Sequence, residues 1–465
     1  MNTILFFDDW MLERRDCLDR IWGQPTFVKE IFTGFFPGFL GYAGYLTAFF
    51  DERLGRYVFY VGIFPPRADP DVFVVRLESD DPRHWENPVY EGSVTPAWKS
   101  FRNVVVDQDG NRFWPFAIQS LAGTPHADRG YFTTEWDFPG EKSYLGFSAD
   151  GVHFAIDREN PWQDPGADAP GNLLWCDPPG HYVLFTRQVN TDRRIAVATT
   201  TDFERFSPLL TAIQPDALDS IGTEFYDMPA RAYEDMYLGL PHVQSTDPFE
   251  KRRVKITGRM ETQLAYSYNG VHWCRPNRDP FIGIRDYGLQ GGGQVYVGEM
   301  LRTKDDKLLF FASCSKGEHA AYVDMQAAGV DTTGYFSPLL FEMRLDGFCS
   351  LKTRARDGIL ETKTLMLKGD RMRLNVRTTA HTAVRVEMLD GEEMTPIPGY
   401  TLDDSIPITG DHLFAEVRWK ERSDLSELVD KPVRARLHMR EAELFAIRLD
   451  CQAHFSNAAP INSLH

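Results

Sequence analysis

Residues 264–275, L-A-Y-S-Y-N-G-V-H-W-C-R, decide how the rest of the chain is read. A short apolar strand runs into Ser267, a two-residue turn ends in Gly270, and V-H-W enters the next strand. An Asn-Gly turn between apolar runs marks two antiparallel strands in direct sequence. The nearest copy is Y-L-G-F-S-A-D-G-V-H-F-A at 144–155, and looser copies stand at 197–207, 74–86 and 341–352.

A second element alternates with this box: a strand, a turn carrying Asp, Gly or Lys, and a strand opening on an aromatic residue or Leu. Its copies fall at 49–61, 104–118, 173–187, 225–240 and 300–312. Hairpin plus box therefore repeats five times at roughly fifty to seventy residues, the spacing of propeller blades. The expectation is an all-β chain with a five-bladed β-propeller.

From residue 360 the texture changes. I-L-E-T-K-T-L-M-L, R-M-R-L-N-V, V-R-V-E-M-L, F-A-E-V-R-W and V-R-A-R-L-H-M-R each alternate apolar and polar residues. Period-two strands without helices between them predict a C-terminal antiparallel β-sandwich. The expected domains are 1–355 for the propeller, with residues 4–7 closing the ring, and 356–465 for the sandwich. Residues 10–30 read as a short helical turn, 32–45 as a loop over the channel, and S-D-L-S-E-L-V as the one helical segment of the second domain.

The formal net charge of −17 over 465 residues argues against nucleic acid and anionic membrane as partners, since both need clustered Lys and Arg. The content of 33 Phe, 18 Tyr and 10 Trp suits packed sheets and a sugar-stacking surface. Six Cys without C-x-x-C spacing indicate neither a disulfide framework nor a metal site. No signal-peptide pattern and no apolar run of about 20 residues is present, so a cytoplasmic protein is expected. A homo-oligomer is compatible with this composition.

With these repeats in view, the chain resembles the five-bladed propeller glycoside hydrolases of the invertase-like and arabinanase-like furanosidase group. It is most similar to uncharacterised bacterial proteins described as family 32-like. The matching features are L-F-F-D-D-W-M-L-E at the start, F-Y-D-M-P-A-R-A-Y-E-D-M-Y-L-G-L, the two boxes S-A-D-G-V-H-F and S-Y-N-G-V-H-W, L-D-G-F-C-S-L, and L-E-T-K-T-L followed by M-R-L-N-V. The N-D-P-N-G nucleophile motif and E-C acid motif of invertase-like enzymes are absent. An R-D-P at 278–280 stands after the fourth box, not in the second blade. The resemblance implies a glycoside hydrolase acting on a small, furanoside-like sugar without cofactor. A phosphate-dependent phosphorylase and a non-catalytic carbohydrate-binding propeller are the alternatives.

A propeller's site lies at one channel mouth, built from the starts of inner strands and from second-to-third-strand loops. That topology sends Asp51, Asp107, Asp150, His153, Asn269 and His272 to the opposite face as turn residues. On the functional side it leaves Arg102, Asn103, Asp168 and Asn172, Asp219, Glu224 and Gln294, with His126, Asp128, Arg187, Asp192, His242, Asp247, Glu318 and His319 from the loops. Glycosidic cleavage needs one protonated and one ionised carboxyl group. Glu224, beside Phe225 and Tyr226, is the first catalytic candidate; Glu318 and Asp219 follow. Arg102, Asn103, Arg187, His242, His319 and Gln294 are the candidate substrate-binding residues. Asp8 and Asp9 read as strand-capping acids, Asp227 as a structural acid near a hairpin, and no metal ligand set is found.

Overall fold

The computed structural model describes residues 3–65, 72–91, 96–137, 142–166, 171–187, 192–246, 257–354 and 357–453. Asp168 and Asp247 lie outside the described residues. The chain is nearly all β, and Tyr322–Ala327 is the only α-helix among the described residues. None of its described helices is long and apolar enough to cross a membrane.

The chain divides into two compact units, Pro25–Met343 and the pair Met1–Gln24 with Arg344–His465. This differs from the boundary expected near residue 355. The strand Cys349–Thr353, read as part of the fifth box, pairs with Leu18–Trp22 and with Ala442–Ala453. The N-terminal strand Thr3–Ile4, expected to close the ring, pairs with Ala442–Ala453 as well. Instead of a helical turn, residues 12–22 supply two strands, Leu12–Asp16 and Leu18–Trp22, joined at Cys17, whose φ is 52°.

The second unit is one ten-stranded antiparallel sheet over an apolar core that includes Phe6, Leu360, Leu374, Trp419, Leu437 and Ile447. The alternating segments predicted there appear as Gly358–Thr362, Leu365–Thr378, Val384–Asp390, Asp411–Glu416 and Pro432–Met439. Along Pro432–Met439 burial alternates residue by residue, as a strand with one covered face requires. Asp9 accepts from Arg15 and Arg20, and Asp8 from the Trp10 amide, so both acids serve local structure.

Within Pro25–Met343 the repeats become meandering sheets. Gly41–Asp51, Arg56–Phe64 and Phe73–Ser79 are consecutive neighbours, as are Leu173–Cys176, His181–Arg187, Ile195–Thr200 and Leu210–Ile213. Gln294–Arg302, Lys307–Ser315 and Phe336–Arg344 form a third run, with Thr26–Glu30 added on its outside. The boxes are tight turns: Asp150 accepts from the amides of Val152 and His153, and Asn269 from those of Val271 and His272.

The repeat at 104–118 folds differently from its reading. Val106–Asp107 is an edge strand that pairs in parallel with His153–Ile156, and the other edge of that sheet is Pro115–Ser120, paired with Tyr131–Asp137. The turn of the sequence pattern closes on Asp107, which accepts from the amides of Asp109 and Asn111, and its flanks form an isolated bridge between Val106 and Arg112 and not a hairpin of two strands. The strand that leads this sheet therefore begins at Pro115, eleven residues beyond the one inferred from V-V-V at 104–106.

Candidate active site

A cavity of about 910 Å³ opens within Pro25–Met343, walled by aromatic side chains that include Tyr45, Trp114, Trp136, Tyr226, Tyr296 and Tyr322. The chain reaches it from several repeats. In Gly41–Asp51 the pairing register shifts between Ala43 and Thr47, and Gly44 sits at φ +94°. A bulge of this kind re-aims the adjoining side chain, here Tyr45, whose ring lies 4.5 Å from that of Phe116. In Gln294–Arg302, Gln294 and Tyr296 are two residues apart and share the face that meets the cavity.

The neighbouring glycines make room for backbone. A Cβ on Gly293 would stand 2.0 Å from the carbonyl carbon of Gly317, so this position admits only glycine while the two segments touch.

Behind the Tyr45, Tyr226 and Tyr296 rings lies Asp227, 4% exposed. Its Oδ2 accepts from the Tyr296 hydroxyl at 3.3 Å. Burial pushes its carboxyl up to about 6, although the Met228 amide, Arg187, Tyr296 and Arg231 all pull the other way. Burial wins because Arg231 is already engaged by both oxygens of Glu299, at 2.6 Å each, which leaves Arg187 as the main opposing charge. The Tyr45 and Tyr296 phenols, buried and near one another, are held well above the usual phenol range and stay neutral.

The histidines are neutral too. Burial, then the charges of Arg193 and Arg187, lowers His319 to about 3. Its Nδ1 lies 3.1 Å from Gln294 Oε1, so the N–H sits on Nδ1 and Nε2 is left as an acceptor on a residue that lines the cavity. His242 is wholly buried and burial brings it to about 3. Its Nε2 donates to the Val297 carbonyl at 2.8 Å, and its ring packs 3.9 Å from that of Tyr296.

Two carboxylates of Tyr131–Asp137, Glu135 and Asp137, line the cavity. Arg158 clasps Glu135 through two bonds, Nε to Oε2 at 2.8 Å and Nη2 to Oε1 at 3.0 Å, and also reaches Asp107. A bidentate guanidinium fixes the orientation of such a carboxylate.

The residues expected from sequence fall into two groups. Gln294 and His319 line the cavity, and the Arg187 guanidinium lies 4.9 Å over the Tyr226 ring beside it. His242 stands behind Tyr296 and, with no exposure, cannot meet a ligand. Glu224 faces a cation, not the apolar walls expected of Phe225 and Tyr226: Arg193 Nη1 donates to its Oε2 at 2.8 Å. Asp219, 5% exposed, accepts from Arg275 at 2.8 and 2.5 Å. Burial alone would raise its carboxyl, but Arg275 and the Asp216 amide hold it below the usual range. Glu318 is within 4.0 Å of Arg259 and does not line the cavity. Arg102 pairs with Glu91, and Asn103 stands exposed at φ 55°. Both precede the edge strand Val106–Asp107 and not Pro115–Ser120, which is why the rule of inner-strand starts misplaced them.

Tyr45, Trp114, Glu135 and Asp227 were missed. Trp114 stands directly before Pro115, so Pro as a strand opener was the available signal for it. Asp227 carried none, because D-M-P between strands reads as a turn.

No family model matches this chain, and no curated protein does. Among solved structures, one is similar to a protein of the GH130 family of mannoside phosphorylases, described as containing glycoside hydrolases that target β-1,2 mannosidic linkages in Candida mannan. It is 13% identical, covering 73% of this chain and 96% of that one at a TM-score of 0.44. A glycosyl hydrolase from Bacteroides ovatus is 12% identical over 69% and 94% of the two chains, TM-score 0.44. An N-acetylgalactosamine deacetylase from F. plautii is 12% identical over 71% and 97%, TM-score 0.41. None of these similarities assigns a role to a residue of this chain.

Proposed function

We propose that this protein is a glycoside hydrolase in which Asp227 supplies the proton to the leaving oxygen. The observation that carries the reading is a carboxyl raised to about 6 by burial at the back of an aromatic cavity of about 910 Å³. A protonated carboxyl near its working pH is what general-acid cleavage of a glycoside requires, and aromatic walls suit the apolar faces of sugar rings. Glu135, clasped by Arg158 through two bonds, is the second carboxyl of the pair and faces the positive charge that develops on the sugar. His319 Nε2 accepts a sugar hydroxyl, while Gln294 fixes its tautomer. The substrate is a small carbohydrate, furanosidic in the reading favoured by the resemblance.

The architecture proposed with this function is a five-bladed propeller over Pro25–Met343, with a sandwich built from the remaining strands. Supporting it, Phe116, Arg187 and Tyr226 from the second, third and fourth repeats gather with Tyr45 and Tyr296 from the strands that run into the first and fifth.

A phosphorolytic reading is favoured by one feature: Arg187 and Arg193 both lie over the Tyr226 ring, at 4.9 and 5.4 Å, beside His319. The test is release of 4-nitrophenol from a panel of 4-nitrophenyl furanosides and pyranosides, with and without phosphate. Release without phosphate supports the hydrolase, and cleavage of the methyl glycoside of the same sugar that is lost in Asp227→Asn supports Asp227 as the acid. Strict phosphate dependence moves the assignment to a phosphorylase, and binding of the sugars without turnover moves it to a carbohydrate-binding protein.

A further inference from the structure

Tyr296 and Asp227 stand at different depths. The Tyr296 side chain lines the cavity, whereas Asp227 does not, and the phenol hydroxyl lies between the two at 3.3 Å from Asp227 Oδ2. A sugar in the cavity therefore meets the phenol before it meets the carboxyl. We propose, resting on the glycosidase reading above, that Tyr296 hands the proton to the glycosidic oxygen and Asp227 refills it from behind.

The surroundings fit a relay and not a phenolate nucleophile. Facing Asp227 are Arg187 at the end of His181–Arg187, Arg231 in Ala230–Tyr233, and the phenols of Tyr45 and Tyr296, with Tyr226 next to those two phenols. Arg231 is spent on Glu299, and the Tyr45 and Tyr296 phenols are held well above the usual phenol range, so Tyr296 keeps its proton and serves as a donor. The His242 ring, anchored by its bond to Val297 O on the same strand as Tyr296, packs 3.9 Å from the phenol ring and restricts its swing.

The step balances as follows. The bond between the anomeric carbon and the glycosidic oxygen breaks with its electron pair on oxygen; that oxygen takes the Tyr296 proton; the Asp227 carboxyl proton moves to the Tyr296 oxygen. The products are a neutral alcohol, a neutral phenol, an ionised Asp227 and a sugar cation facing Glu135. Water then adds to the anomeric carbon and releases one proton, which returns through Tyr296 to Asp227.

The experiment compares Tyr296→Phe, Asp227→Asn and the double variant on the 4-nitrophenyl and methyl glycosides of whichever sugar the panel identifies. A relay predicts losses of about 100-fold or more on the methyl glycoside and under about 10-fold on the 4-nitrophenyl glycoside, whose leaving group needs no proton, with the double variant no worse than either single one. Tyr296→Phe within about 3-fold of the parent on both substrates, with Asp227→Asn impaired, overturns the relay and leaves the acid assignment standing. Losses in Asp227→Asn that ignore the leaving group overturn Asp227 as the acid, and a panel with no cleavage at all overturns the glycosidase assignment itself. Infrared titration of the protonated carboxyl band, which needs no substrate, is the second measurement. Its midpoint near pH 6 moves upward in Tyr296→Phe if the phenol donates to the carboxylate, and an unmoved midpoint overturns the proposal.

Discussion

The Tyr296 hydroxyl lies 3.3 Å from Asp227 Oδ2, joining a residue that lines the cavity to one that does not. This contact gives a carboxyl raised by burial an outlet toward bound substrate. On this reading the activity requires Asp227 protonated, so kcat/KM falls as pH rises through about 6. The pH profile of the parent checks it, and the limb is absent from the residual activity of Asp227→Asn.

The same group affects stability, with a definite sign. Its pKa is near 3.8 when unfolded and about 6 when folded, so the native state binds more protons between those values. Asp227 therefore costs no stability below about pH 4 and costs up to roughly 3 kcal/mol above pH 6. Asp227→Asn removes that dependence, and the melting temperature of the variant relative to the parent rises between pH 4 and pH 7. A difference that stays flat across that range contradicts the burial of the charge.

The buried histidines act in the opposite direction. His242 goes from about 6.5 unfolded to about 3 folded, so the unfolded chain binds more protons and stability is lost as pH falls below about 6.5. His242→Gln is expected to lower stability at pH 7 by about 1–3 kcal/mol, by disturbing the bond to Val297 O, and to make the acid loss shallower. Denaturant titrations of parent and variant at pH 7 and pH 5 measure both effects.

Asp219 and Glu224 separate structure from chemistry. Asp219 and Arg275 are 5% and 4% exposed, and removing one partner of a buried pair costs about 3–5 kcal/mol. Asp219→Ala should melt lower while its pH profile keeps the parent's shape. Glu224→Gln, with Arg193 still held by Gln244 at 3.2 Å, should keep activity within about 10-fold. Kinetics and thermal melting of the two variants distinguish these outcomes.

Much of the β architecture is legible in the sequence because its signals are local. The Asn269-Gly270 and Asp150-Gly151 turns and the alternation along Pro432–Met439 each need only a few adjacent residues. The site is less legible because it depends on which strand leads each sheet. V-V-V at 104–106 outweighed Pro115 as a strand signal, which brought Arg102 and Asn103 into the candidate set and left Trp114 and Glu135 out. Gln294 and His319, at the cavity wall, and Arg187, beside it, are candidates that reading strands and loops in register brings to the cavity. The membership of Thr3–Ile4 and Cys349–Thr353 in the second unit depends on pairing across hundreds of residues, which no local pattern carries.

Asp227 shows the same limit in one residue. Its meaning lies in Tyr45, Arg187 and Tyr296, all remote in sequence, and not in D-M-P. The most direct measurement is therefore the rate of methyl glycoside cleavage by the parent and by Asp227→Asn from pH 4 to pH 8, without phosphate. A parent rate that falls above about pH 6, together with a loss of 100-fold or more in a folded Asp227→Asn, is the predicted result. A folded Asp227→Asn that cleaves at the parent's rate with the parent's pH profile would contradict it.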